Sequence, residues 1–296
     1  MKKIIINFLL LVISCFFVSS VSLADKKILR LGTASRGGGY YELGNSIKNL
    51  LIKKVNSVIV IPTKGSVDIV LRLVRKELDL GIVQNDIAYF SGYGLYPFDH
   101  KIKTVKSIMP FYVEPIFLLT NDSNIRSVHD LSGQRVNVGE RGSGLYVDAR
   151  FFLMANELWD VIDRKNESAE NVYNLLANDK IDISFTNDLT KDLLRGVNDN
   201  KLFMLSLNSE DIGALKSTYP YFSEYNSNLS GKEFRTIAVR ALLVAHEDVS
   251  SEIIYEITSC LYDNYAGLIF PGGPIISKAP DISGVPVIKR HKGAER

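Results

Sequence analysis

The chain is poor in cysteine, with two in 296 residues. Two cannot build a disulfide framework and are too few for a cysteine-based structural zinc site. It is also poor in histidine: His100, His129, His246 and His291 are the only four, and no two stand at metal-ligand spacing. A charge surplus is missing too, since 35 lysines and arginines face 33 aspartates and glutamates. That balance argues against nucleic acid as a main partner, because a protein that tracks a phosphate backbone needs a basic excess. Long apolar runs are too scarce for a polytopic membrane protein. What is present, 46% hydrophobic and 23% charged residues, is a globular composition and not a disordered one. The length sets an expectation of about two domains.

The one apolar run stands at the start. Lys2 and Lys3 precede Ile4–Val18, and Ser22-Leu23-Ala24 follows with small residues at a cleavage site. This reads as a secretory signal over 1–24, which places the mature chain in the periplasm, beginning at Asp25. An N-terminal anchor is the alternative, but small residues follow the run where a basic stop is expected. Val12-Ile13-Ser14-Cys15 also resembles a lipobox that would acylate Cys15, against which Phe16 and Phe17 argue. Removing Lys2 and Lys3 leaves 33 basic and 33 acidic residues, and Cys260 as the remaining cysteine. Cys260 shares helical spacing with Ile253, Ile257 and Leu261, so a buried structural thiol is expected.

Hydrophobic periodicity alternates along the first hundred residues. Ile28–Gly32, Val58–Pro62 and Leu78–Gln84 read as strands, with helices predicted over 40–54, 66–76 and 86–90. A β-α-β-α-β-α order implies a parallel sheet with helices on both faces. Further on, 107–112, 115–120, 135–138, 181–186, 202–207 and 234–245 read as extended, and 145–159, 168–178 and 250–265 as helical. Four prolines between Pro271 and Pro286 suggest a tail that wraps the surface. Asp79-Leu80-Gly81-Ile82-Val83-Gln84-Asn85-Asp86 resembles Asp182-Ile183-Ser184-Phe185-Thr186-Asn187-Asp188 about a hundred residues later, and each follows a glycine-rich turn and a helix. The expectation is two similar α/β lobes and not one continuous sheet.

In open α/β sheets ligands bind beyond the carboxyl ends of the strands. There the chain carries Thr33, Ser35, Gly37, Gly38, Gly39 and Tyr40 in the first half, and Gly142, Ser143 and Gly144 in the second. Successive glycines let a ligand approach the backbone, and the following helix N-termini favour negative charge. Gly65 and Ser66 open another helix. Gln84 and Asp86, with Asn187 and Asp188 at the equivalent place, can pair with an amino or hydroxyl group. Helix capping is the structural alternative for the Asn and Asp residues. Three other motifs fail. The Rossmann spacing is broken by Thr33-Ala34, no Gly-Lys-Ser/Thr forms a P-loop, and the residues around Ser143 do not fit a G-x-S-x-G elbow. No nucleophile with a base is found, so no enzyme, no metal site and no cofactor are expected.

Gly32-Thr33-x-Ser35-x-Gly37-Gly38-x-Tyr40-Tyr41, Gly65-Ser66-Val67, Leu80-Gly81-Ile82-Val83-Gln84-Asn85-Asp86, Met109-Pro110-x-Tyr112-x-Glu114-Pro115 and Val136-Asn137-Val138-Gly139-x-x-Gly142-Ser143-Gly144 resemble the TAXI family. These are the extracytoplasmic solute receptors of TRAP transporters. The likeness runs to His291-Lys292-Gly293-Ala294 and departs at Arg36, Glu42 and Lys292. It implies a two-lobed type II periplasmic binding protein fold, each lobe a mainly parallel sheet flanked by helices. It also implies a small carboxylate or amino-acid-like solute, anionic or zwitterionic, held in the cleft and passed to TRAP permease subunits in the membrane. The first lobe is expected over 25–113 and 234–296 and the second over 114–233, with a hinge near Phe111–Pro115 and again near Phe234. The alternatives are a periplasmic sensor feeding a signalling partner, or a periplasmic transferase or hydrolase.

Overall fold

The computed structural model describes residues 28–54, 57–219, 221–229, 231–268 and 288–295. The leader expected over 1–24, with Cys15, and the proline-bearing segment from Pro271 to Pro286 lie outside the described residues. The first lobe opens with β1 (Leu29–Thr33), α1 (Gly39–Lys54), β2 (Val58–Pro62), α2 (Ser66–Val74), β3 (Leu80–Gln84) and α3 (Asn85–Tyr93). β1 pairs in parallel with both β2 and β3. Leu29, Leu31, Leu80, Ile82 and Val83 are buried, the pattern of strands covered on both faces. On α1, Leu43, Ile47 and Leu51 recur every four residues and all face the core. α2 packs so close to β3 that a Cβ on Gly81 would lie 2.3 Å from Ile69 Cγ2.

The chain then runs through β4 (Val105–Thr120), sixteen residues long, into β5 (Arg135–Asn137), α4 (Gly144–Ala155), β6 (Asp163–Lys165), α5 (Val172–Ala177), β7 (Ile183–Thr186) and α6 (Lys191–Asn198). After them come β8 (Phe203–Met204), α7 (Ser209–Thr218), β9 (Ser223–Leu229), β10 (Lys232–His246) and α8 (Ser251–Asp263). In the second lobe β5 pairs in parallel with β6 and β7. The fold is thus the expected two-lobed one, each lobe a mainly parallel sheet flanked by helices.

The expected separation into two sheets does not hold. Hydrogen-bonded strands follow one path, β2-β1-β3-β10-β4-β7-β5-β6, with β8 added on β4 and β9 on β10. β4 makes the join, because its first part pairs with β10 and Phe117–Thr120 pairs with β7. It runs straight through 111–115, where two extended pieces were expected. Proline supplies no N–H to a ladder, and a register shift lies opposite Pro110–Val113, between Arg240 and Leu242. The Asn85 side chain accepts the Arg240 N–H at that irregularity, at 2.7 Å.

Other boundaries also moved. The helix expected to reach Trp159 ends at Ala155, where Asn156 caps it and Glu157 turns to a positive φ of 60°. The strand expected over 202–207 shrinks to two residues. α6, α7 and β9 were not anticipated. α6 buries Leu193 and Val197 in eight residues, too short a period to see, and the sequence of β9 is almost wholly polar. β9 exists because β10 offers it an edge.

The internal likeness has a physical counterpart. In the first lobe Arg30 N–H and Nε both donate to Asp79 Oδ2, at 2.9 and 2.8 Å. In the second, Arg135 N–H and Nε both donate to Asp182 Oδ2, at 2.8 and 2.9 Å. The same carboxylate thus ties the starts of neighbouring parallel strands in both lobes. Cys260 is buried on α8, as expected. Behind the cleft, one apolar cluster spans both lobes and brings Phe90 of α3 edge-on to Phe151 of α4, with centroids 5.3 Å apart. Among the described residues no helix is long and apolar enough to cross a membrane.

Candidate functional site

The carboxyl ends of β1, β3, β5 and β7 open into a cavity of about 510 Å³ between the lobes. Ser35, Gly38, Gly39, Tyr40, Gly65, Ser66, Gln84, Ser143, Gly144 and Asn187 all line it. Residues more than a hundred positions apart are thereby brought onto one surface.

Three expected residues are not brought there. Thr33 is wholly buried; its hydroxyl donates to the Ala34 carbonyl, and its own carbonyl accepts from Thr63. Asp86 is wholly buried beneath the cavity, against Asp148 of α4. Gly142, at φ +98°, turns its carbonyl to accept the Asp68 N–H at 3.1 Å, so it fastens the two lobes together.

The expected pair of open helix N-termini is also modified. At α1 the Gly39 N–H donates to Asp188 Oδ2 at 3.0 Å, so an acid from the second lobe already holds that positive end. At α4 the Ser143 hydroxyl caps the helix by accepting the Tyr146 N–H. Gly144 follows, and the Gln84 side chain lies directly over it: a Cβ there would sit 1.3 Å from Gln84 Oε1. No wider residue fits at 144 without moving Gln84 or parting the lobes.

Gln84 is the centre of a buried polar cluster. Its backbone N–H donates to Ser66 Oγ at 3.0 Å. Its side-chain Nε2 donates to Asp148 Oδ2 at 2.7 Å and reaches Glu114 Oε1 at 3.3 Å. Asn187 Nδ2 donates to the same Glu114 oxygen. Burial pushes the Glu114 carboxyl up to about 7; the Tyr40 hydroxyl and Asn187 oppose this, and the charges of Asp86 and Asp188 add to it. Burial likewise raises Asp86 to about 6, against hydrogen bonds from Asp148 and the Ile87 N–H. Asp148 is raised by burial and then by the charge of Asp86. Asp188 is raised by burial, against its bond from Gly39.

Sequence reasoning missed Glu114, Asp148, Tyr112 and Lys64 as members of this region. Glu114 stands in the Met109–Pro115 motif, but nothing in its spacing reveals that it is 2% exposed on a cavity wall. Asp148 lies one turn into α4, and only packing against Asp86 gives it meaning. Tyr40 and Tyr112 meet edge to face, with ring centroids 6.5 Å apart. Phe117, Tyr225 and Phe234 complete an aromatic side of the cavity. Among the described residues no histidine, cysteine and carboxylate group has the arrangement of a metal site.

A sequence model described as the NMT1-like family matches residues 31–296. Solved structures share the fold at low identity. PhnD1 from Prochlorococcus marinus, in complex with methylphosphonate, superposes with a TM-score of 0.56 at 15% identity, over 81% of this chain and 85% of its own. A structure described as a periplasmic transporter gives 0.55 at 11% identity, over 80% and 82%. The GluR0 ligand-binding core, in complex with L-glutamate, gives 0.51 at 13% identity, over 81% and 95%.

Proposed function

The chain belongs to the NMT1-like family, and from that premise we propose that it is an extracytoplasmic receptor that captures a small solute between its lobes and hands it to a membrane permease. The observation that carries this reading is the single cavity into which both glycine-rich turns and both strand ends converge. Its volume lies within the range of small-molecule sites. The solute favours the closed arrangement because only there does it touch both lobes at once. The fold is shared with proteins solved in complex with methylphosphonate and L-glutamate, both small polar solutes, and a likeness at this identity supports the architecture of capture rather than a particular ligand. A carboxylate or similar group on the solute would lie toward Lys64, the basic side chain on the cavity wall. Delivery to a TRAP-type permease rests on the motif resemblance, and the periplasmic location on the leader.

The test is to isolate the protein from its own cell envelope without dialysis and release any small molecule for mass spectrometry. Titration of emptied protein with amino acids, dicarboxylates and phosphonates follows. A stabilising ligand with a submillimolar dissociation constant is expected. Silence across all three classes overturns the reading.

A further inference from the structure

We infer that the captured solute carries a cationic nitrogen, and that Glu114 receives it at the back of the cavity beside Tyr40, Tyr112 and Asn187. The inference rests on the receptor reading above and deepens it. Glu114 lies where β4 passes from β10 to β7, so it belongs to the join between the lobes. Its two oxygens are treated differently. Oε1 accepts from both Asn187 and Gln84, while Oε2 is buried with no hydrogen-bond donor. The buried Tyr40 hydroxyl lies against the same carboxyl and favours its charged form. A native structure rarely leaves a buried oxygen such as Oε2 without a donor, and the cost is considerable. An ammonium brings three N–H donors and a positive charge to this spot.

The charges around Glu114 point the same way. From α1 it faces Tyr40, from β4 Tyr112, from α3 Asp86, from α4 Asp148 and from the residues after β7 Asp188. None is basic. Among the described residues that line the cavity, Glu114, Glu140, Glu167 and Asp188 stand against Lys64, which is exposed. A dianion entering this cavity would add negative charge to an acidic wall, whereas an amine relieves the repulsion. Aromatic faces attract a desolvated cation, and the tyrosine pair forms a wall of the required kind. The elevated Glu114 carboxyl supports this independently of the contacts: near neutral pH the empty site takes up a proton, and a bound cation takes the proton's place.

The experiment is isothermal titration calorimetry of the full mature chain with the standard L-amino acids, putrescine, glutarate, succinate and methylphosphonate. Any amino acid that binds is followed by its deaminated analogue, such as glutarate for L-glutamate. An amine is expected to bind, and its deaminated analogue to bind at least ~10-fold more weakly, about 1.4 kcal/mol. At pH 7 binding should release a fraction of a proton, read as a heat that varies with the ionisation enthalpy of the buffer. Glu114→Gln should keep the thermal midpoint, lose about 10-fold or more in amine affinity and release no proton. The wild-type measurements stand even if that variant fails to fold. Binding of a dicarboxylate or methylphosphonate as tight as that of any amine overturns the inference and leaves the receptor reading intact. So does unchanged amine affinity in Glu114→Gln. If none of these probes binds, the receptor reading falls and takes the inference with it.

Discussion

A buried carboxylate is defined by what surrounds it. Asp79 is 4% exposed and satisfies both the backbone N–H and the guanidinium of Arg30. It is a structural acid. Asp79→Ala should destabilise the fold by about 1–3 kcal/mol, measured by urea unfolding, because it strands the Arg30 N–H. Glu114, Asp86 and Asp148 are equally buried and have no basic partner, so their role differs. Their carboxyls are held above the ordinary range, which means the folded state binds protons that the unfolded chain has already released. The stability they contribute is therefore full in acid below the unfolded values, and is lost as pH rises through about 6 for Asp86 and about 7 for Glu114. The ligand-free protein should melt higher near pH 5.5 than near pH 8. A midpoint that falls over that acid shift would mean other groups dominate the balance.

Helix ends at the cleft act as latches between lobes rather than as open anion cradles. Asp188 holds the start of α1 from the opposite lobe, and Gly142 receives the Asp68 N–H from the start of α2. Gly144 shows how little space remains. It opens α4 with no positive φ, so alanine suits its backbone, and the Gln84 side chain is what a Cβ would strike. Gly144→Ala should lower the thermal midpoint, because displacing Gln84 strands buried carboxyl groups. It should weaken solute binding by roughly tenfold or more, because Gln84 must leave Asp148 and Glu114 or the lobes must part. Gly65 is a harsher case: at φ +124° a side chain is strained and would meet Ser143 Cα at 3.0 Å. Gly65→Ala should lower both the melting point and the affinity.

Taken whole, the molecule is two lobes closed on one cavity and joined by β4 and β10. The apolar contact of Phe90 with Phe151 behind the cleft must slide if the lobes open. Small-angle scattering should therefore show a radius of gyration that falls when a binding solute is added. An unchanged radius would mean that the ligand-free chain is already closed in solution.

The sequence alone determined the parts whose causes are local. Periodicity placed β1, α1, β2, α2 and β3, because burying both faces of a strand or one face of a helix leaves a direct mark on residue order. The paired Asp-led strands and glycine-rich turns disclosed two similar lobes before any coordinate. Ten of the expected residues line the cavity for the same reason, since glycines, helix starts and strand ends are backbone features. Only the tertiary structure decided that one sixteen-residue strand links the sheets, that Asp188 already occupies the start of α1, and that Glu114 is a buried acid with an unmet oxygen. Those outcomes depend on which distant groups share a volume of low dielectric, and neither spacing nor composition records that.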